Sequence, residues 1–429
     1  MKQSGLGVAY TIAPMPPRWP LVNGPRNFDG NGPPSAGYQL AKLGRSGSSS
    51  TYSPAFLLVI MVLRFYLTTS FHVLVRVFVS FGNPRVHHLQ PMKARGSKNP
   101  LENNSKYEKI KDLNAGAFGF VQLAKEKETG EKVAIKFMER GHKITKYVAR
   151  EIMNHSHLLH PHIVQFKEVF LTKDYLAIAM EYAAGGDMFQ YVKHRGGLEE
   201  VEARWFFQQL IIGMDYCHKM GVVNRDIKLE NTLLDGSKRP LLKICDFGYS
   251  KNDKDSVPKS KVGTPGYTAP EVIANSRTYD GKLADVWSSG VMLYVMLFCE
   301  YPFERPEDSG DPHRFQKVLE RILAVDYNFP SSIPVSTECK DLLSKILVAD
   351  PAKRYTIADI QRHPWYTKDL PAGVTRMNDE CLKLKDHTAG YQNEDDIRAV
   401  VAQAIGSRSA LADERMVDDI MDDSEDTYY

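Results

Sequence analysis

Asn224-Arg225-Asp226-Ile227-Lys228-Leu229-Glu230-Asn231, with Asp246-Phe247-Gly248 a short way downstream, is the stretch that decides how this chain folds and what it can do. Taken singly, these are the residues of exposed turns. Taken in this order, they supply a carboxylate able to accept a proton (Asp226), a cation to offset negative charge (Lys228) and two oxygen-bearing groups suited to magnesium (Asn231 and Asp246). That set is chemically sufficient for moving a phosphoryl group, where a protein chiefly positions the reactants and neutralises charge.

Upstream, Val133-Ala134-Ile135-Lys136 reads as a strand carrying a lysine toward the same place, and Glu151, on a helix predicted over 146–158, is a suitable partner for it. Earlier still, Asn114-Ala115-Gly116-Ala117-Phe118-Gly119, followed by Val121, reads as a glycine-turned hairpin whose backbone N–H groups can approach phosphate oxygens closely. Two glycines in a hairpin are usually only a turn, so this loop takes its meaning from the residues downstream. Strands are predicted over 107–125, 132–138 and 175–182, and an amphipathic helix over 203–220 with Trp205, Phe206, Leu210, Ile211 and Met214 on its inner side. Residues 285–298 are apolar almost all round, which a helix buried on every side permits.

From about Tyr107 to Tyr366 the chain resembles the eukaryotic protein kinases, an α+β fold with a small antiparallel-sheet lobe (107–183) and a large helical lobe (184–366). The resemblance implies ATP and Mg2+ between the lobes. It places Gly116, Gly119, Val121, Ala134, Lys136, Glu151, Glu181 and Ala183 at ATP, Asn231 and Asp246 at the metal, and Asp226 with Lys228 at the transferring phosphate. Gly263-Thr264-Pro265-Gly266-Tyr267-Thr268-Ala269-Pro270-Glu271 looks like the segment that ends the activation loop, with Glu271 paired to Arg354. Lys228 beside Asp226, and Gly263-Thr264 before Ala269-Pro270-Glu271, are similar to serine/threonine kinases, so the implied substrates are Ser and Thr hydroxyls of proteins.

The likeness narrows at Met180-Glu181-Tyr182-Ala183-Ala184-Gly185-Gly186-Asp187, at Leu229 to Ser237 and at Ile244-Cys245-Asp246-Phe247-Gly248-Tyr249-Ser250-Lys251, which resemble the sucrose-non-fermenting-related kinases of plants and algae, subfamily two. That resemblance implies a role in stress signalling, an upstream kinase, and a C-terminal helix and acidic segment that dock partners such as a phosphatase. It also implies, through Asp187, a preference for arginine upstream of the acceptor. Two positions depart from the pattern: Asn224 stands where a histidine is usual and Asn114 where a glycine is, so a weakened site, or a pseudokinase that signals by contact alone, is the rival reading. Arg225, an otherwise costly cation near the cleft, would be answered by a phosphate on Ser260, with Ser256 and Thr264 as secondary sites.

The flanks differ in character. Residues 1–100 are basic and rich in Gly, Pro and Ser at the start, and are expected to be mostly disordered. Within them 55–81 is apolar but interrupted by Arg64, His72 and Arg76, leaving open a membrane-spanning helix, an organelle-targeting segment, or an extension with no function of its own. Residues 367–429 form the expected regulatory extension. In it Ile397, Val400, Val401 and Ile405 recur at helical spacing, and Asp413 to Asp426 is acidic, which a solvated tail would equally explain. The net charge of +3 over 429 residues is too small to imply nucleic-acid binding. Five scattered cysteines without a C-x-x-C pair suggest a reducing compartment, cytoplasm or nucleus, with membrane tethering or organelle targeting through residues 1–81 as the alternative.

Overall fold

The computed structural model describes residues 99–116, 119–141, 144–247, 251–252, 265–274, 279–384 and 392–405. The expectations for 55–81, Gly248, Ser256, Ser260, Thr264 and the acidic stretch 413–426 lie outside these residues.

Five strands, β1 (Tyr107–Gly116), β2 (Gly119–Glu126), β3 (Lys132–Glu139), β4 (Phe166–Leu171) and β5 (Tyr175–Glu181), form an antiparallel sheet in the order β1-β2-β3-β5-β4. Side chains alternate across β3: Val133, Ile135 and Phe137 are buried on one face while Ala134 and Lys136 remain partly open on the other. The packed face is aromatic, with Phe120 stacked on Phe137 at 5.2 Å and Tyr175 meeting Phe120 edge-on at 5.3 Å. The β1–β2 turn needs glycine at 119, whose φ is +150° and where a Cβ would lie 1.9 Å from the Phe137 carbonyl oxygen. Helix α1 (Lys146–Ser156) lays Val148, Ala149, Ile152 and Met153 against Phe166, Val169 and Ile178 of the sheet.

The second lobe follows with β6 (Gly186–Asp187), α2 (Met188–Arg195), α3 (Glu200–Lys219), β7 (Val222–Val223), β8 (Thr232–Leu234), β9 (Leu242–Ile244) and β10 (Lys251–Asn252). Its helices continue as α4 (Pro270–Ile273), α5 (Gly281–Phe298), α6 (Arg314–Ala324), α7 (Thr337–Ile346), α8 (Ile357–Arg362), α9 (Pro364–Thr367) and α10 (Val374–Lys383). The two predicted central helices are present, and both are longer at their N-terminal ends. Asp280 caps α5 by accepting from the Lys282 and Leu283 N–H groups, so the helix begins at Gly281, before the first apolar run. Helices α3 and α5 pack together, and Trp287 of α5 stacks on Phe303 at 5.6 Å. Each such fully buried side chain contributes about 1.5–3 kcal/mol relative to exposure.

The C-terminal segment contains more than a solvated tail. Helix α11 (Glu394–Ile405) docks on the first lobe, where Ile397, Val401 and Ala404 join the cluster of α1, β4 and β5. Gln392 imitates a neighbouring strand, its amide accepting from the Val169 N–H at 2.9 Å and donating to the Val169 carbonyl at 3.1 Å. At the far end the Gly141 N–H donates to the Ala404 carbonyl at 2.8 Å and Arg140 to the Gln403 carbonyl at 2.9 Å. Among the described residues no helix is long and apolar enough to cross a membrane.

Candidate active site

Strand β3 presents Lys136 on its open face and α1 presents Glu151, and the two meet with Nζ 2.6 Å from Oε1. Burial works against the charge on Lys136, but the carboxylates of Glu151 and Asp246 outweigh it and hold its pKa above the ordinary lysine value. Asp246 therefore lies close enough to the pair to add to the hold that Glu151 has on the Lys136 charge. Val121 pairs with Lys136 across the β2–β3 ladder, and Ala134 with Met180 across β3–β5, so the residues expected at ATP share this part of the sheet. Ala183, just past β5, is buried. The Glu181 carboxylate is committed elsewhere, accepting from Lys243 Nζ at 2.7 Å and the Gln165 N–H at 3.1 Å, so a nucleotide would meet its backbone instead. Asp187 caps α2, accepting from the Gln190 N–H at 2.8 Å.

The catalytic loop is shaped from below by Asp285, the one acid on the largely apolar α5. Asp285 is 1% exposed and accepts from the Asn224 N–H at 3.0 Å, the Arg225 N–H at 2.7 Å and His218 Nε2 at 2.9 Å. These bonds hold Arg225 at φ 65°, a left-handed backbone uncommon outside glycine. Asp226 follows, its Oδ2 accepting from Lys228 Nζ at 2.6 Å and Asn231 Nδ2 at 2.8 Å. Burial raises the Asp226 pKa even though Lys228 and Asn231 pull it down, and the nearby Asp246 charge adds to the rise. A carboxylate so placed is a better proton acceptor than one in water.

Asp246 reaches the same point from the loop that follows β9, where the Cys245 N–H donates to the Asn231 carbonyl at 2.9 Å. Its backbone is also left-handed, at φ 63°, and its carbonyl accepts from Asn224 Nδ2 at 3.1 Å. Phe247 is 1% exposed, with its ring 5.0 Å from that of His155 on α1, which fastens this segment beneath the helix that carries Glu151. The amide nitrogen of Asn231 is engaged with Asp226, which leaves its oxygen for a ligand. One carboxylate and one amide oxygen suit magnesium, a hard ion that takes few protein ligands when phosphates supply the rest. The chemistry of the residues present thus fits Mg2+ and ATP.

Two expectations gain detail. The Arg225 guanidinium donates to the Tyr279 phenol oxygen, a neutral acceptor that satisfies a donor but leaves the positive charge in place. Asn224 does not leave the Asp246 segment loose, since its side chain bonds both Asp246 and the Asp226 N–H. The expected Glu271–Arg354 pair is present and two-pronged, at 2.7 Å and 2.7 Å, with Arg354 also donating to the Leu283 carbonyl at 2.8 Å. Sequence reading missed Asp285, Tyr279 and Lys243. Asp285 was detectable, because an acid in a helix that is apolar almost all round must find buried partners.

The protein kinase domain family matches residues 107–366. Serine/threonine-protein kinase SRK2H of Arabidopsis thaliana is 54% identical over 301 residues, covering 70% of this chain and 82% of that protein. SRK2A of Physcomitrium patens is 52% identical over 305 residues (71% and 86%), and SAPK7 of Oryza sativa subsp. japonica 52% over 303 (70% and 83%). With this site, this match and relatives at this distance, the chain belongs to the protein kinase family, among the serine/threonine kinases of sucrose-non-fermenting-related subfamily two.

Proposed function

We propose that in this ATP- and magnesium-dependent serine/threonine kinase the acceptor hydroxyl gives its proton to Asp226, while Lys228 and Lys136 neutralise phosphate charge and Asn231 with Asp246 hold the metal. The observation that carries this reading is the joined network in which Asp226 is bonded by Lys228 and Asn231 and Asp246 acts electrostatically on the Lys136–Glu151 pair. Bound magnesium would supply Lewis-acid charge at the phosphates. The protein's own part is to hold Asp226 deprotonated beside the hydroxyl, to fix Lys136 through Glu151, and to place phosphate against the backbone around Gly116 and Gly119. The catalytic unit is assigned to 107–366, with lobes meeting near Ala183, a basic extension of 1–100 and a regulatory extension of 367–429.

Protein substrates follow from the family. An upstream kinase acting on Ser260, with Ser256 and Thr264 secondary, and a phosphatase that reverses it and docks on the acidic 413–426 segment, complete the regulatory reading. An intracellular setting, cytoplasm or nucleus, is supported by five cysteines that are all free thiols. The stress role rests on the subfamily. The test is phosphate transfer from labelled ATP to serine peptides by the full chain. Lys136→Met and Asp246→Asn should each lose about a hundredfold or more in kcat while remaining folded by circular dichroism. Wild-type turnover in either would overturn the assignment of these residues.

A further inference from the structure

Asn224 is 2% exposed, and both ends of its side-chain amide and its backbone N–H are used. Its Nδ2 donates to the Asp246 carbonyl at 3.1 Å, its Oδ1 accepts from the Asp226 N–H at 3.1 Å, and its own N–H donates to Asp285 at 3.0 Å. One short side chain thus joins the loop bearing the proton acceptor to the loop bearing the metal-binding carboxylate, and its backbone ties both to α5. These two loops come from different parts of the chain, and each carries a left-handed residue, Arg225 at φ 65° and Asp246 at φ 63°. Such backbone persists only where the surroundings hold it. A neutral carboxamide suits the task because it offers one donor and one acceptor in a fixed plane.

We propose that Asn224 is a positioning residue for phosphoryl transfer: it fixes Asp246, and with it the metal, relative to Asp226. It does so at the position where the kinase pattern has a histidine, so that departure preserves activity instead of eroding it. The role of Asn224 rests on the reading of Asp226 and Asp246 given above.

Three substitutions separate the two ends of the amide. Asn224→Asp keeps the acceptor for the Asp226 N–H but faces the Asp246 carbonyl with an oxygen, Asn224→Leu removes both ends, and Asn224→His restores one donor and one acceptor. In the full chain, with purified protein, ATP, Mg2+ and a serine peptide, the Asp and Leu variants should lose about tenfold or more in kcat, as expected when a buried carbonyl is left without its donor. Both should need several times more Mg2+ for half-maximal rate while the peptide KM stays within about twofold, and both should melt a few degrees below wild type because a buried polar group loses its partner. The His variant should recover at least about a third of wild-type kcat and the wild-type Mg2+ midpoint. If the Leu variant fails to fold, the comparison of Asp with His decides alone, since they differ in the donor toward Asp246. An Asn224→Asp variant with wild-type kcat and Mg2+ midpoint overturns the proposal, as does a His variant no better than the Asp one. Asp246→Asn is assayed alongside: if it retains turnover, the underlying assignment fails, whereas its inactivity beside a fully active Asn224→Asp variant refutes the role of Asn224 alone.

Discussion

Replacing Ile397 with alanine tests whether the C-terminal helix keeps the catalytic ion pair in place. Ile397 is 1% exposed and sits with Val401 and Ala404 in the cluster formed by Val148, Ile152 and Met153 of α1, the helix that carries Glu151. Truncating a buried isoleucine in a rigid core costs about 2–5 kcal/mol. Here the structure has a cheaper escape, because α11 is held by its apolar face, by the bonds from Gln392, Arg140 and Gly141 and by a His157–Glu394 contact at 3.6 Å, so it can leave the surface and no cavity need remain. Burying Ile397 stabilises docking by roughly 1.5–3 kcal/mol, a contribution that Val401, Ala404 and the partly buried Val400 and Ile405 add to but do not replace. A loss of that size shifts the docked equilibrium by about ten- to a hundredfold. Undocking uncovers α1 and frees Glu151 to move away from Lys136. The expected result in the full chain is a kcat lowered about tenfold toward a serine peptide, together with faster amide hydrogen exchange across 146–156. Wild-type kcat and unchanged exchange in α1 would show that α11 does nothing for the pair.

Arg354→Ala strands Glu271, a buried acid, and should cost about 3–5 kcal/mol, lowering the melting temperature by about 6–20 °C; a shift under one degree, by scanning calorimetry, would contradict the pairing. Burial pushes His155 and His162 down to about 4 from 6.5, so the unfolded chain takes up protons that the native one refuses, and stability present above pH 6.5 drains away as the pH falls toward 4. Urea titrations between pH 7 and 5 should show a shallower decline for His162→Asn than for wild type, by about one proton; parallel slopes would count against it. Ser260→Ala should prevent activation by an upstream kinase, and phosphatase treatment of activated wild-type enzyme should reproduce the loss; an alanine variant with full activity and indifference to phosphatase would remove Ser260 from the switch.

Local chemistry was legible in the sequence wherever a residue's role follows from its own type and its near neighbours. The strand carrying Lys136, the helix carrying Glu151, the glycine turn, the loop from Asn224 to Asn231 and the buried helix ending at Phe298 all follow from periodicity or spacing, because backbone preference and burial of an apolar face act over a few residues. The identity of the site came from the order of residues scattered between 116 and 246, which only phosphate and metal chemistry makes intelligible as a set. Apart from the Glu271–Arg354 pair, which the family resemblance implied, partners far apart in the chain were decided by the tertiary structure. Asp285 accepts from the loop at 224–225, Lys243 takes the carboxylate of Glu181, and Tyr279 answers Arg225, and in each case a buried charge or polar group found its partner through packing geometry. The periodic apolar residues of α11 announced a helix but not its berth: whether Ile397 and Val401 meet solvent or the back of α1 depends on the groove that the sheet and α1 leave open, and that groove exists only once the first lobe has folded.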